Sequence, residues 1–257
     1  MSFTYGNKNK IILDGNYLEM AEIYAVDETI ELENQLGVKR NITTTNGSIS
    51  NVEEENFTFT LSFIRKDHYT EKIKPIDKSF LDRVNRLFFS KGNDDYSTLQ
   101  IGYYLYYVKA IEGSLTRYDE NNAMFSITFE SLSPYKYTHI FENPCRINTN
   151  NNPREMDLTI QGDCINYCSI KINCISDGDL KITNKTNGES ITMSGCTVGE
   201  KAIVDGENVD VEYMDFSRVE GNIKTCLTLR YGSNRYLVET TGDFEVRFVW
   251  QERLGLY

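Results

Sequence analysis

The sequence predicts a mainly β protein with two domains and one α-helix. Three observations support this fold class. Apolar and polar residues alternate over short segments, turn dipeptides such as Asn-Gly separate these segments, and only one segment has helical spacing. A length of 257 residues suits two domains of ordinary size. We predict an N-terminal β-barrel or sheet domain with one helix over residues 1–138, and a C-terminal β-sandwich over residues 139–257.

The clearest predicted strand covers Asn56–Ile64. Every second residue is apolar, as in a strand with one buried face; the apolar set is Phe57, Phe59, Leu61 and Phe63. Upstream, two β-branched runs flank Asn46-Gly47, a dipeptide that adopts positive φ at little cost and predicts a hairpin turn. The acidic far arm, Val52–Asn56, disfavours pairing with further strands. This hairpin is therefore predicted to project from the domain as a contact element.

One helix is predicted at about residues 79–90. It follows Pro75 with a cap at Asp77 or Ser79, and it stops at Lys91-Gly92-Asn93. Its apolar stripe predicts packing on a sheet; the stripe comprises Phe80, Leu81, Val84, Leu87 and Phe88. Four strands are predicted next, at Ser97–Ile101, Tyr103–Ile111, Ser114–Tyr118 and Ala123–Glu130.

Pro134 is predicted to end the first domain, since proline donates no hydrogen bond to a strand ladder. The segment Phe141–Pro153 is polar and turn-rich, and it predicts a connecting strand and loop. Nine short strands then predict a sandwich. They are Asp157–Gln161, Cys168–Ile175, Leu180–Asn184, Ser190–Met193, Lys201–Val204, Val209–Tyr213, Thr225–Leu229, Arg235–Thr240 and Phe244–Trp250.

Composition argues against two classes of function. The chain has 27 Lys and Arg against 38 Asp and Glu, a net charge of -11, which disfavours wrapping nucleic acid or lying on an anionic membrane. No apolar run reaches signal-peptide or membrane-span length, so we expect folding in a cytoplasm.

All six cysteines lie in the second half without the paired spacing of a zinc site. We expect buried free thiols, with disulfides as the alternative if the mature protein is located outside the cell.

No residues are predicted to act in catalysis, cofactor binding or metal binding. His68 and His139 are far apart in sequence and lie in no nucleophile motif. Trp250 could stack on a sugar, but its strand-period neighbours favour packing in a core or domain contact. The tyrosines at 103, 104, 106 and 107 suit a subunit interface, although a half-exposed sheet would also use them.

In their order and spacing, these elements resemble the distal tail proteins of long-tailed, siphovirus-type bacteriophages over nearly the whole chain. In the first half the similar segments are Phe3–Gly6, Arg40–Ser48, Phe57–Phe63, Leu87–Phe89 and Ser133–Tyr135. In the second half they are Asp157–Gly162, Ile182–Gly188, Gly199–Gly206, Thr228–Asn234 and a strand leading to the C-terminus.

The resemblance implies a structural hub at the tail tip of a phage or a phage-tail-like bacteriocin. Such proteins form a homohexameric ring that joins the tail-tube protein to the tail-tip or tail-associated protein and to receptor-binding proteins. The N-terminal domain surrounds a channel through which DNA passes, a hairpin braces neighbours, and a galectin-like C-terminal domain faces outward. The implied activity is binding without a cofactor, at the virion tail tip, after synthesis in the bacterial host cytoplasm.

The expected ring or tube interface includes Arg40, Asn41, Thr43, Thr45, Asn46, Gly47, Glu53, Glu54, Tyr104 and Tyr106. Trp250 is the expected sugar or domain contact. The alternative function is a carbohydrate-binding adsorption protein that acts through the C-terminal sandwich. The chain lacks room for the additional carbohydrate-binding module found in some members of the family, so it resembles their minimal form.

Overall fold

The computed structural model describes residues 11–26, 40–45, 48–54, 56–92, 95–119 and 122–255; for 40–45 and 48–54 the backbone alone is described. The chain divides into two compact units. The first contains the described residues up to Tyr137 together with Gly255, and the second is Thr138–Leu254. Strands dominate both units, which confirms the mainly β fold class. No helix in these ranges is long and apolar enough to cross a membrane.

The first unit is an antiparallel sheet with one helix. Its elements are β1 (Ile11–Leu13), β2 (Asn16–Tyr17), a 3₁₀ turn (Leu18–Ala21), β3 (Ile23–Ala25), β4 (Arg40–Thr45), β5 (Ser48–Glu54), β6 (Thr58–Arg65), α1 (Lys78–Phe89), β7 (Ser97–Ile101), β8 (Tyr104–Arg117), β9 (Ala123–Ser131) and the start of β10 (Lys136–Ile147). The main sheet has the order β2-β1-β7-β8-β9-β6-β3.

Helix α1 packs its apolar stripe on this sheet, as predicted. It begins after Asp77, whose carboxylate accepts a hydrogen bond from the backbone N–H of Phe80 at 2.8 Å. Phe88 lies 5.9 Å from Phe63, which stacks on Phe125 at 5.3 Å between ring centroids. These rings belong to a single buried core built from both α1 and the sheet.

The prediction of two separate strands in the region of β8 was wrong. The predicted strands Tyr103–Ile111 and Ser114–Tyr118 form one strand of 14 residues, with a register irregularity between Ala110 and Glu112 where it pairs with β9. Gly113 therefore does not break the strand. A Cβ at Gly113 would lie 3.2 Å from the ring of Phe89, so glycine here lets the helix end approach β8.

Glu22, which precedes β3, lies at the centre of a cluster of ion pairs near the start of α1. Its carboxylate accepts from Arg65 Nε at 2.8 Å and from Lys74 Nζ at 2.7 Å, and Arg83 Nη2 lies at 3.7 Å. The hydrogen bond from Lys74 opposes the desolvation cost, and with Arg65 it lowers the pKa of Glu22 below its ordinary value of 4.5. The charged form is therefore favoured by the folded state.

This cluster predicts an acid-dependent stability. Because the pKa of Glu22 is lowered by folding, its contribution is present above pH 4.5 and is lost as the pH falls through the folded-state pKa. We expect Glu22→Gln to cost about 2 kcal/mol at pH 7, and this difference to shrink progressively below pH 4.5. Urea unfolding as a function of pH measures this difference in the free energy of unfolding. Glu19→Gln is the control, because Glu19 forms no ion pair with the described residues; a constant difference between native protein and Glu22→Gln at all pH values would contradict the prediction.

The second unit is a β-sandwich, as predicted. Beyond β10 its elements are β11 (Arg154–Ile160), β12 (Asn166–Ser176), β13 (Gly178–Asn184), β14 (Ser190–Cys196), β15 (Lys201–Asp205), β16 (Asp210–Glu212), a 3₁₀ turn (Phe216–Arg218), β17 (Val219–Gly221), α2 (Ile223–Cys226), β18 (Thr228–Leu229), β19 (Gly232–Thr240) and β20 (Asp243–Leu254). One sheet has the order β16-β15-β12-β20-β10, the other β11-β19-β13-β14-β17. Both inner faces contribute to one core.

The predicted strand Thr225–Leu229 is wrong in its first half. The one-turn helix α2 takes its place, and only Thr228–Leu229 is a strand. Asn222 caps this helix by accepting a hydrogen bond from the backbone N–H of Thr225 at 3.2 Å. Strand β17 also lies outside the predicted strands.

A buried carboxylate secures the end of β20. Glu252 is 4% exposed, and its Oε2 accepts hydrogen bonds from the backbone N–H groups of Gln161 at 3.0 Å and Gly162 at 2.7 Å. A Cβ at Gly162 would lie 2.6 Å from the carbonyl oxygen of Arg253, so only glycine allows this approach. Glu252 thus joins the loop after β11 to β20.

Candidate assembly surfaces

Strands β4 and β5 form an antiparallel hairpin. The register pairs Thr45 with Ser48, and an irregularity follows between Thr43 and Thr44. Among the described residues, these two strands pair only with each other. The predicted interface residues Arg40, Asn41, Thr43 and Thr45 lie on β4 and Glu53 and Glu54 on β5, whereas Asn46 and Gly47 lie outside the described residues.

The predicted tyrosine interface divides between core and surface. Tyr106 is 5% exposed and lies 5.8 Å from Phe59 in the core, where burial raises its pKa to about 12. The structure therefore assigns Tyr106 to the core, since alternate strand residues point to opposite faces. Tyr103 is highly exposed, and Lys136 Nζ lies 4.4 Å from the ring centroid of Tyr104. Tyr103 and Tyr104 remain available to a partner.

The outer half of β8 is a surface that sequence reasoning missed. Strand β9 pairs along one edge as far as Arg117, but β7 pairs along the other edge only as far as Val108. Beyond Val108, this second edge has no strand partner within the described part of the chain. Ile111, Leu115 and the nearby Phe89 are exposed there. The only sequence signal was the presence of two aliphatic residues in a polar segment.

Trp250 is a packing residue within the second unit. Its side chain is 9% exposed and stacks on Phe141 at 5.5 Å. Its Nε1 is buried and has no hydrogen-bond partner. A ring covered in this way offers no open face for sugar stacking, and the structure therefore does not favour the sugar-binding role considered for Trp250.

The thiols and histidines form no reactive constellation in the described residues. None of the six cysteines forms a disulfide, and five are buried thiols, as predicted. Burial raises the pKa of Cys168 to about 12 and that of Cys226 to about 11, so both remain protonated thiols. The hydroxyl of Tyr24 lies 3.3 Å from Nδ1 of His68. No group of three or more His, Cys, Asp or Glu that could hold a metal ion occurs in the described ranges.

Comparisons with known proteins give a likeness of structure alone. No family model matches the sequence, and no curated protein matches it. The structure is similar to the crystal structure of the Dit protein of phage SPP1, described as a paradigm of the hub adsorption apparatus in phages that infect Gram-positive bacteria, with 13% identity and a TM-score of 0.59. The match covers 95% of this chain and 98% of that one.

A second solved structure is also similar over nearly the whole length of both chains. A chain of the phage p2 baseplate, in its activated conformation with strontium, gives a TM-score of 0.50 at 11% identity and covers 98% of this chain and 100% of that one. Both comparisons span the two units. The chain has the mainly β fold of a phage tail hub protein.

Proposed function

We propose that this protein is the structural hub of a long-tailed phage, or of a phage-tail-like bacteriocin. In this role it forms a homohexameric ring that joins the tail tube to the tail-tip and receptor-binding proteins. The observation that carries the proposal is the likeness to the SPP1 Dit hub protein over 95% of this chain and 98% of that one. The proposed activity is binding, and it requires neither catalysis nor a cofactor.

Two different surfaces of the first unit support a ring. One is the β4–β5 hairpin, and the other is the unpaired edge of β8 beyond Val108 with its exposed Ile111 and Leu115. An unpaired strand edge pairs readily with a strand of another chain. Contacts between two different surfaces run head to tail and can close into a ring. The hairpin of one copy and the β8 edge of the next are the proposed contacts.

The charge of the chain suits a channel for DNA. With 27 basic and 38 acidic residues, the protein carries a net charge of -11, which repels a polyanion. A ring of this composition would let DNA pass without retaining it. The proposed location is the virion tail tip, and the proposed partners are the tail-tube protein, the tail-tip protein and the receptor-binding proteins.

The solution mass tests the proposed ring. Light scattering coupled to size exclusion, over a concentration series near physiological salt, is expected to give a mass six times that of the chain, or monomers that approach it as concentration rises. If the protein stays monomeric at every concentration and also fails to form rings when mixed with the tail-tube protein, the proposal is wrong.

The hairpin has a test of its own. Replacing residues 40–54 with a short Gly-Ser linker is expected to abolish the hexamer while the circular dichroism and thermal unfolding of the chain remain, because β4 and β5 pair only with each other in the described structure. The control inserts the same linker at the exposed turn Thr149-Asn150. A linker variant that still forms hexamers would place the subunit contact elsewhere.

A further inference from the structure

The second unit has a groove on the outer face of one sheet. Its volume is about 450 Å³, and it crosses the four neighbouring strands β10, β20, β12 and β15. Four basic side chains and one acidic side chain line it: Arg146, Lys171, Lys201 and Arg247, with Glu245. The chain as a whole has more acidic than basic residues, 38 against 27, whereas basic side chains outnumber acidic ones in this lining.

Strand register brings these groups together. Lys171 on β12 lies directly opposite Arg247 on β20, and Asn173 lies between Glu245 on β20 and Lys201 on β15. Neighbouring strands are about 4.8 Å apart, so side chains in these positions can contact the same ligand. The backbone of the central strands, β20 and β12, is paired on both sides within the sheet. On these two strands, the groups available to a ligand are therefore side chains.

Three of the four basic groups already pair with carboxylates, and Arg146 does so with Asp243 at 2.9 Å. Glu142 is shared between Arg247 Nη1 at 2.9 Å and Lys171 Nζ at 3.8 Å. Lys201 has no carboxylate partner among the described residues. The side chains of Arg247 and Lys171 are about half exposed, and ion pairs at such sites contribute little to stability, so a ligand can replace or join them at small cost.

We propose that this groove binds an anionic glycan, a saccharide polymer that carries sulfate, phosphate or carboxylate groups. Arginine and lysine recognise such groups by charge-assisted hydrogen bonds. Asn173 Nδ2 lies 3.3 Å from Glu245 Oε2, and this pair offers a donor and an acceptor for sugar hydroxyls. None of the lining residues is aromatic, so recognition in this groove depends on charge and hydrogen bonds. The inference is independent of ring formation.

The test uses the full-length protein and three polymers of similar length: dextran sulfate, the polyuronate alginate and neutral dextran. Titration calorimetry is expected to detect binding of the charged polymers and none of neutral dextran. The double variant Lys171→Gln/Arg247→Gln is expected to weaken binding on the order of tenfold or more, because two charge-assisted contacts are lost. The matched control is Lys181→Gln/Lys185→Gln, which removes the same charge from β13 of the other sheet and the turn that follows it, and is expected to leave affinity unchanged.

Several results would overturn this proposal. One is that the native protein binds neither charged glycan, and another is that the two double variants weaken binding equally. A third is that polyglutamate binds as tightly as dextran sulfate, which would indicate an acidic polypeptide as the partner. Thermal unfolding of each variant checks that lost affinity does not reflect lost structure. If the groove double variant fails to fold, Lys201→Gln alone replaces it, since Lys201 has no carboxylate partner to lose in the described structure.

Discussion

Replacing Phe63 with alanine is expected to lower the free energy of unfolding of the first unit by about 3–5 kcal/mol. Phe63 is fully buried and lies 5.3 Å from Phe125 and 5.9 Å from Phe88. Removing its ring leaves a cavity between the sheet and α1, because surrounding side chains relax only partly. The change therefore loosens the contact on which the helix depends.

Calorimetric unfolding of the purified variant measures this loss. The matched control is Phe89→Ala, because Phe89 lies on the same helix but is 37% exposed. The control is expected to cost about 1 kcal/mol or less. Equal losses in the two variants would show that α1 is not anchored through Phe63.

Replacing Glu252 with alanine is expected to destabilise the second unit by about 2–5 kcal/mol, because one buried and one partly buried N–H group lose their acceptor. These groups belong to Gln161 and Gly162, and both bond to the same carboxylate oxygen, Oε2. Trp250 is the only tryptophan of the chain and lies in the second unit. Its fluorescence during urea unfolding therefore reports this unit directly.

The conservative variant Glu252→Gln separates the acceptor role of this side chain from its charge. Glutamine keeps one carbonyl oxygen that can accept both hydrogen bonds, so Glu252→Gln is expected to lose much less stability than Glu252→Ala. If the two variants are equally unstable, the negative charge of Glu252 matters more than its role as an acceptor. If neither is destabilised, the loop after β11 is held by other contacts.

Sequence patterns correctly predicted those elements that depend on residues close together in the chain. The alternation at Phe57–Phe63 defines the buried face of β6, because one face of that strand contacts the core and the other does not. Helix α1 has its own cap at Asp77 and an apolar stripe at helical spacing. The strands beside Asn46-Gly47 pair as the turn dipeptide predicts.

Other features depend on residues that are distant in sequence. Helix α2 replaces a predicted strand where two distant groups bind its last carbonyl. Asn184 Nδ2 and the hydroxyl of Tyr236 both donate to the carbonyl oxygen of Cys226, at 2.9 and 3.1 Å. The free edge of β8 becomes visible only once β7 is seen to end its pairing at Val108. The assignment of Tyr106 to the core and the basic groove likewise depend on strand register, which the sequence alone did not reveal.

Because of where the cysteines lie, the rate of thiol modification reports how often the second unit opens. All six lie within Thr138–Leu254, and Cys164 is the one that is partly exposed. A thiol reagent should therefore modify Cys164 quickly and the other five only when the sandwich opens. Counting modified thiols against time by mass spectrometry would give opening rates for this unit without an added label. The same measurement on assembled particles would reveal whether assembly slows that opening.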